Sequence, residues 1–282
     1  MAQQLDSATR EALVARVRFY RDLGLTEFYR RPVDPVLLAQ LAAAPEPASV
    51  SEPSAEAIHT TSHSAPIQEE HAVPPKKHLP VAPEIAAAVP AADRAAALQL
   101  IRDEIGDCTR CALHTGRHKI VFGDGDPGAR LMFVGEGPGA DEDAQGLPFV
   151  GKAGQLLNNM ITAMGLRRED VYIANVVKCR PPGNRVPEQE EGATCSQFLF
   201  RQIDVVRPKV LVALGATAAT WLLGVRQPLA GLRGRVHAVR GTQLIVTYHP
   251  AYLLRDPRQK KEAWADLQIA MKELGLKAPR RE

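Results

Sequence analysis

Beyond about Ala92 the chain alternates short, continuous apolar runs with amphipathic stretches. The apolar runs lie at 130–134, 171–177, 210–214 and 243–248. Their shortness and unbroken Val/Ile/Leu content predict strands buried on both faces. Between and after them, residues 152–164, 187–206, 216–223 and 258–274 predict helices, and "AADRAAALQLIRDEI" predicts another ahead of the first strand. Strands alternating with helices imply an α/β fold with a mainly parallel sheet covered on both faces. In such sheets ligands sit at the carboxyl ends of the strands, which selects the loops after Val134, Val177 and Tyr248.

The first ninety residues follow another pattern. Leu13, Val17 and Tyr20 form a helical stripe within 7–31, with Gly24 as a stop, and Asp34-Pro35 resembles an N-cap opening a second helix to about Ala44. Residues 1–44 are thus expected to be a small helical segment that docks weakly or recruits a protein partner. From Pro45 to Pro90 there are nine prolines and no aromatic residue. Such a composition cannot bury enough apolar area to offset its ordering entropy, so 45–91 is expected to be a disordered linker. Its four histidines, His59, His63, His71 and His78, read as solvated. The expected divisions are 1–44, 45–91, a main domain over 92–276, and a basic tail over 277–282.

Composition adds limits. Hydrophobic residues make up 45% of the 282 positions, enough for a globular core. Residues 1–95 hold 9 Lys/Arg against 12 Asp/Glu, leaving 26 against 20 of the chain's 35 basic and 32 acidic residues for the remainder. A basic domain suits a polyanionic partner. No apolar run of about 18 residues occurs, and the opening "MAQQLDSATREALV" is polar, unlike a secretory signal. The expectation is a soluble cytoplasmic protein, monomeric and without membrane contact.

The cysteines number four: Cys108-Thr-Arg-Cys111, Cys179 and Cys195. Four thiols with none left over, in a cytoplasmic chain, argue for a tetrathiolate metal site rather than disulfides. Zinc and a [4Fe–4S] cluster both accept this ligand set. Zinc ribbons pair two C-x2-C knuckles, whereas here the second pair is widely split, which tilts the reading toward iron–sulfur. Such a site would staple the first helix of the domain to the segment 179–195.

"GEGPGADEDAQGLPFVGKAG", residues 135–154, begins as a dinucleotide fingerprint and then departs from it. Pro138 removes an N–H from the would-be phosphate nest, and Glu136, Asp141, Glu142 and Asp143 put negative charge where phosphates would lie. A nicotinamide- or flavin-dependent oxidoreductase is therefore disfavoured. Glycines that admit close approach, followed by Phe149 as a ring face, suit a neutral, flat, hydrogen-bonding ligand such as a nucleobase.

Taken together, "CTRC", "FVGEGPGADEDAQGLPFVGKAG", "NVVKCRPPGNRVP", Cys195 and "YHPAYLLR" closely resemble the family 4 uracil-DNA glycosylases, the iron–sulfur branch of that superfamily, over about residues 98–275. The resemblance implies a three-layer α/β/α sandwich and a [4Fe–4S] cluster on Cys108, Cys111, Cys179 and Cys195. It implies an enzyme that flips uracil out of single- or double-stranded DNA and hydrolyses the N-glycosidic bond in base-excision repair, as a nucleoid-associated protein. Phe149 matches the residue that stacks on the extruded uracil. Asn175 matches the pyrimidine-reading amide, accepting from N3–H and donating to O4, and His249 matches the histidine facing O2. Glu136 and Gly137 fall in the uracil-binding motif. Glu136 and Glu142 are candidates for orienting the attacking water or stabilising the sugar cation, with Glu142 crowding C5 to exclude thymine.

Leu253, Leu254 and Arg255 follow His249 and are expected to enter the minor groove. Lys178, Arg180, Arg185, Arg233 and Arg235 are candidate phosphate contacts. No Arg-rich insertion with a histidine follows Cys179, so turnover with release of free uracil is expected rather than a covalent crosslink. The alternative function is a non-catalytic DNA-binding iron–sulfur module of replication or repair.

Overall fold

The computed structural model describes residues 82–277. The two helices expected within 7–44, the linker up to residue 81, and the tail beyond Lys277 lie outside the described residues. The elements in chain order are α1 (Arg94–Ile105), β1 (Asp124–Gly125), β2 (Leu131–Gly135), α2 (Ala140–Gln145), α3 (Lys152–Ala163), β3 (Tyr172–Asn175) and α4 (Gln189–Val206). There follow β4 (Val210–Leu214), α5 (Ala216–Leu223), the single turn α6 (Leu229–Leu232), β5 (Val236–Val239), β6 (Thr242–Thr247), α7 (Pro250–Arg255) and α8 (Lys260–Leu274).

The strands form one sheet in the order β1-β3-β2-β4-β6-β5. The four central strands are parallel, with Phe133 opposite both Ile173 and Val212, and Val212 opposite Ile245. The two edge strands are antiparallel. Neither edge was legible as a strand, because β1 is an Asp-Gly pair and β5 alternates exposed with half-buried positions.

Side-chain alternation along the strands builds the two outer layers. Leu131, Phe133, Ile173, Val212 and Ile245 pack with Leu157 and Ile161 of α3 and Leu267 and Met271 of α8. Met132, Val134, Ala174, Leu211 and Val246 pack on the other side with Leu98 and Ile101 of α1, Leu199 and Ile203 of α4, and Ala219 of α5. Strands buried on both faces therefore read as continuous apolar runs. The result is an α/β/α sandwich. Truncating a residue such as the wholly buried Phe133 to Ala would cost about 3–5 kcal/mol.

One expectation is corrected at the amino-terminal edge. Residues 83–86, assigned by composition to the linker, are tied to the domain. Arg240 donates from Nη1 to the Pro83 carbonyl (2.6 Å) and from Nη2 to the Glu84 carbonyl (3.1 Å), and the Ala86 N–H donates to Asp204 (3.2 Å). Arg240 and Asp204 form a buried ion pair, and this extended backbone supplies its remaining hydrogen bonds.

From β2 the chain passes to β3 on one side and then crosses to β4 on the other. That reversal opens a crevice at the carboxyl ends of the strands.

Candidate active site

The crevice is a cavity of about 640 Å³. The three loops selected by the apolar pattern contribute Glu136 to Glu142 and Phe149 after β2, Pro181 and Asn184 to Val186 after Val177, and His249 after β6, and Asn175 joins them from the last position of β3. Phe149, Asn175 and His249, far apart in sequence, are thus brought to one cavity.

Asn175 is 1% exposed, and its Oδ1 is buried without a hydrogen-bond partner. An unpaired buried acceptor costs about 1–3 kcal/mol, so its retention at a pocket wall points to a donor that arrives with a ligand. Gly135 makes room for it. A Cβ there would lie 2.3 Å from Asn175 Oδ1 and 2.7 Å from Phe149 Cζ. The first glycine of the would-be fingerprint thus accommodates an amide and a ring, not a pyrophosphate.

Phe149 adopts φ 53°, a left-handed conformation that is strained for an aromatic residue. Its neighbours over-determine it. Arg168 donates to the Phe149 carbonyl (3.1 Å) and the Pro148 carbonyl (2.5 Å). Glu142 accepts the Val150 and Gly151 N–H groups (2.9 and 3.0 Å), and Gly154 is pressed so closely against the Phe149 backbone that a Cβ would meet its carbonyl at 1.9 Å. The Phe149 ring faces the His249 ring at 5.6 Å between centroids.

His249 is the N-cap of α7, and its Nδ1 accepts the Ala251 N–H (3.1 Å). Burial lowers its pKa to about 4, with the Arg255 charge adding to that fall. Nδ1 is therefore unprotonated at neutral pH, and Nε2 carries the proton as a neutral donor. Burial and the accepted Ala251 N–H both favour the neutral imidazole. Glu136 is half-buried, and burial raises its pKa although the Thr217 hydroxyl donates to its carboxylate.

The acidic run after the glycines is the first turn of α2, where carboxylates complement the helix dipole. Asp143 accepts the His118 N–H (2.9 Å) and pairs with the His118 ring (2.6 Å). Glu142, a candidate for the reacting water or for crowding C5, lines the cavity and also has a structural task. Both its oxygens are taken up by backbone N–H groups, Oε2 by Gly139 (3.0 Å) and Oε1 by Val150 and Gly151, so it shapes the loop that presents Phe149.

The expected DNA contacts divide. Leu254 is 44% exposed, and Arg255 is exposed at the cavity mouth. Leu253 is 1% exposed and packed inward, so it is not available as a wedge. Lys178 is also 1% exposed, its Nζ donating to the Asn175 carbonyl (2.9 Å) and Gln202 Oε1 (2.6 Å), so it does not reach a phosphate. Burial pushes its ammonium down to about 8. Arg185 lines the mouth but forms a two-pronged pair with Glu191 (2.8 and 2.7 Å), and Arg180 donates to Asn184 (2.8 Å). Arg233 is tied to Asp266 (2.7 Å) and stacked on Tyr248 (4.0 Å), which removes it from the candidates, whereas Arg235 is exposed and donates to the Gly231 carbonyl.

The four cysteines line one enclosed, apolar space with Ile105, Ile120 and Phe198. Donors surround their sulfurs: Arg110 Nη1 to Cys108 (3.3 Å), Arg117 Nη1 to Cys179 (3.3 Å) and the Lys178 N–H to Cys195 (3.2 Å). Burial raises the Cys111 and Cys179 thiols and pushes Cys195 up to about 12, so a bound cationic group is what would draw off their protons. Four thiols with N–H donors aimed at them fit a metal–sulfur group. Among the described residues, no three His, Cys, Asp or Glu side chains converge closely enough to hold a single ion.

Arg168, Thr217 and Gly135 were missed by the sequence reading. No local pattern marks Arg168, whose partner Phe149 lies 19 residues earlier. Gly135 stood in the motif, but its purpose depends on neighbours from other strands.

An α/β/α sandwich whose strand ends bring together a buried ring, an amide with an unpaired oxygen and a buried histidine is suited to a flat polar ligand. The family model of the Uracil DNA glycosylase superfamily matches residues 122–268. The chain is 47% identical over 161 residues to the type-4 uracil-DNA glycosylase of Thermotoga maritima, covering 56% of this chain and 84% of that one. It is 42% identical over 184 residues to the type-4 uracil-DNA glycosylase of Archaeoglobus fulgidus, covering 62% and 92%. A type-5 uracil-DNA glycosylase of Pyrobaculum aerophilum is 36% identical over 146 residues, covering 46% and 64%. The chain belongs to the uracil-DNA glycosylase superfamily.

Proposed function

We propose that this protein is a uracil-DNA glycosylase that hydrolyses the N-glycosidic bond of uracil in DNA and initiates base-excision repair. The observation that carries the reading is the unpaired, buried Oδ1 of Asn175 beside Phe149. Uracil offers an N3–H donor to that oxygen and an O4 acceptor to the amide NH2, whereas cytosine reverses the pattern and leaves buried groups unpaired. Phe149 stacks on the extruded ring, and Gly137 lets the backbone come close.

As the bond breaks, negative charge collects on uracil O2 and positive charge on the sugar. The neutral His249 donates from Nε2 toward O2, an arrangement worth ~3 kcal/mol per donor in sites of this kind. Glu136, at the cavity wall and held by Thr217, stabilises the sugar cation or orients the water. Leu254 and Arg255 line the strand at the cavity mouth. A base drawn out of the duplex this way costs a few kcal/mol of unstacking.

Cys108, Cys111, Cys179 and Cys195 would hold a [4Fe–4S] cluster. Four thiols around one apolar space, with N–H donors aimed at three of the sulfurs, support a metal–sulfur cluster there. Bound there, the cluster supplies a cross-link between the start of the domain and the segment after β3. The purified protein is expected to be brown and to contain iron; colourless protein with stoichiometric zinc contradicts this.

The function is tested with a uracil-containing oligonucleotide. Free uracil and alkali-labile abasic sites are the expected products. Retention of the oligonucleotide without either product overturns the reading and leaves a non-catalytic DNA-binding module.

A further inference from the structure

Lys178 lies wholly inside the domain, at the wall of the cysteine-lined space and bonded to Asn175 of the cavity. Its main-chain N–H donates to Cys195 Sγ (3.2 Å), and Cys179 is the next residue. Its side chain turns the other way, and Nζ donates to the Asn175 carbonyl (2.9 Å) and to Gln202 Oε1 (2.6 Å). Gln202 is itself fixed, donating from Nε2 to the Phe122 carbonyl (3.0 Å) and the Tyr172 hydroxyl (3.2 Å).

Both acceptors of the ammonium are neutral. The side chain thus acts as a buried clamp between two oxygens of the fold, one of them fixed by its own partners. Beyond β3 the Val176 and Val177 N–H groups donate to the Gly135 and Glu136 carbonyls (3.0 and 3.1 Å) and so extend the parallel ladder. The Asn175 carbonyl is taken instead by Lys178, while the Asn175 amide leaves the same Cα toward the cavity, confined by Gly135 and Phe149. The residue is gripped at its main chain and at its side chain, and Lys178 supplies the first grip.

We propose that Lys178 is a positioning residue for base recognition: it fixes the Asn175 main chain against the cysteine-lined region, so that Oδ1 meets the base edge at one depth and angle. This rests on the glycosylase reading and extends it to a residue outside the cavity.

The test uses the full chain with its metal site loaded, as wild type, Lys178→Met and Gln202→Met. Four quantities are read: inhibition by free uracil, affinity for an abasic-site oligonucleotide, melting temperature and iron content. Lys178→Met is expected to raise the inhibition constant of uracil about tenfold or more while abasic-DNA affinity stays within roughly twofold, since only the base-reading contact is disturbed. Gln202→Met is expected to shift it in the same direction by less. A purely structural role would lower the melting temperature and weaken both ligands in parallel. A folded Lys178→Met with wild-type uracil inhibition, or with parallel loss of both affinities, overturns the inference. If Lys178→Met does not fold, Gln202→Met decides by the same criteria. Failure of the wild type to release uracil would sink the glycosylase reading; unchanged inhibition in Lys178→Met sinks only the role of Lys178.

Discussion

The base cavity and the four-cysteine region lie on either side of one short stretch at the end of β3, where Asn175, the last residue of the strand, lines one and Cys179 the other. They are built in opposite ways. The cavity keeps an acceptor unpaired, holds Phe149 in a left-handed conformation and depresses a histidine pKa. The cysteine region is enclosed and apolar, with N–H donors on three of its four sulfurs. The contrast teaches where stability and function reside. One region would tie segments together through a bound metal group, and the other stores unsatisfied groups that a ligand can satisfy.

Substitutions in the two regions should therefore separate fold from chemistry. The largest effect is expected from disabling the four-cysteine site proposed to hold a cluster. Cys195→Ala, or iron chelation, should cost on the order of 5 kcal/mol or more of stability, seen as loss of the cooperative melt. A cysteine variant that melts like wild type and excises uracil would break the comparison. Asn175→Asp comes next, replacing the donor NH2 with an acceptor. Its kcat/KM on uracil-containing DNA should fall on the order of 10³-fold with little change in melting temperature. His249→Ala should lower kcat about 10²- to 10³-fold and leave DNA affinity nearly unchanged in a binding titration.

A smaller effect sharpens the line between the two carboxylates. Glu142→Ala removes the acceptor of three loop N–H groups that can turn to water, so it should lower stability by roughly 1–3 kcal/mol in total and blunt activity through Phe149. Glu136→Gln should affect rate without that loss of stability. Calorimetry alongside single-turnover kinetics separates the two.

The smallest effect is on pH dependence. With a folded pKa of about 4 against 6.5 for an ordinary histidine, His249 stays neutral down to mild acid. Its step in the rate profile should therefore fall near pH 4, not near 6.5. The unfolded chain binds more protons between those values, so the site costs stability progressively as pH falls from about 6.5 to about 4, and nothing above that window. A rate step near pH 6.5 that vanishes in His249→Ala would contradict the burial argument.

The central strands were legible because burial on both faces leaves continuous apolar runs, and the loops at their ends followed from topology. Phe149, Asn175 and His249 were legible through the resemblance. The edge strands were not, because their register depends on a neighbour rather than on their own pattern. Nor were the fates of the basic and apolar contacts. Lys178 and Leu253 look like surface residues in sequence, and only packing shows that they turn inward. Arg168 lay beyond any local signal, since its task is to hold two carbonyls of a distant loop.

The central claim is that Asn175 Oδ1 is left unpaired to receive the N3–H of uracil. Product inhibition compares uracil directly with 3-methyluracil, which lacks that hydrogen. Uracil should compete with DNA substrate while 3-methyluracil fails to do so at a hundredfold higher concentration, roughly 2.7 kcal/mol of discrimination. Equal inhibition by the two compounds would contradict the account.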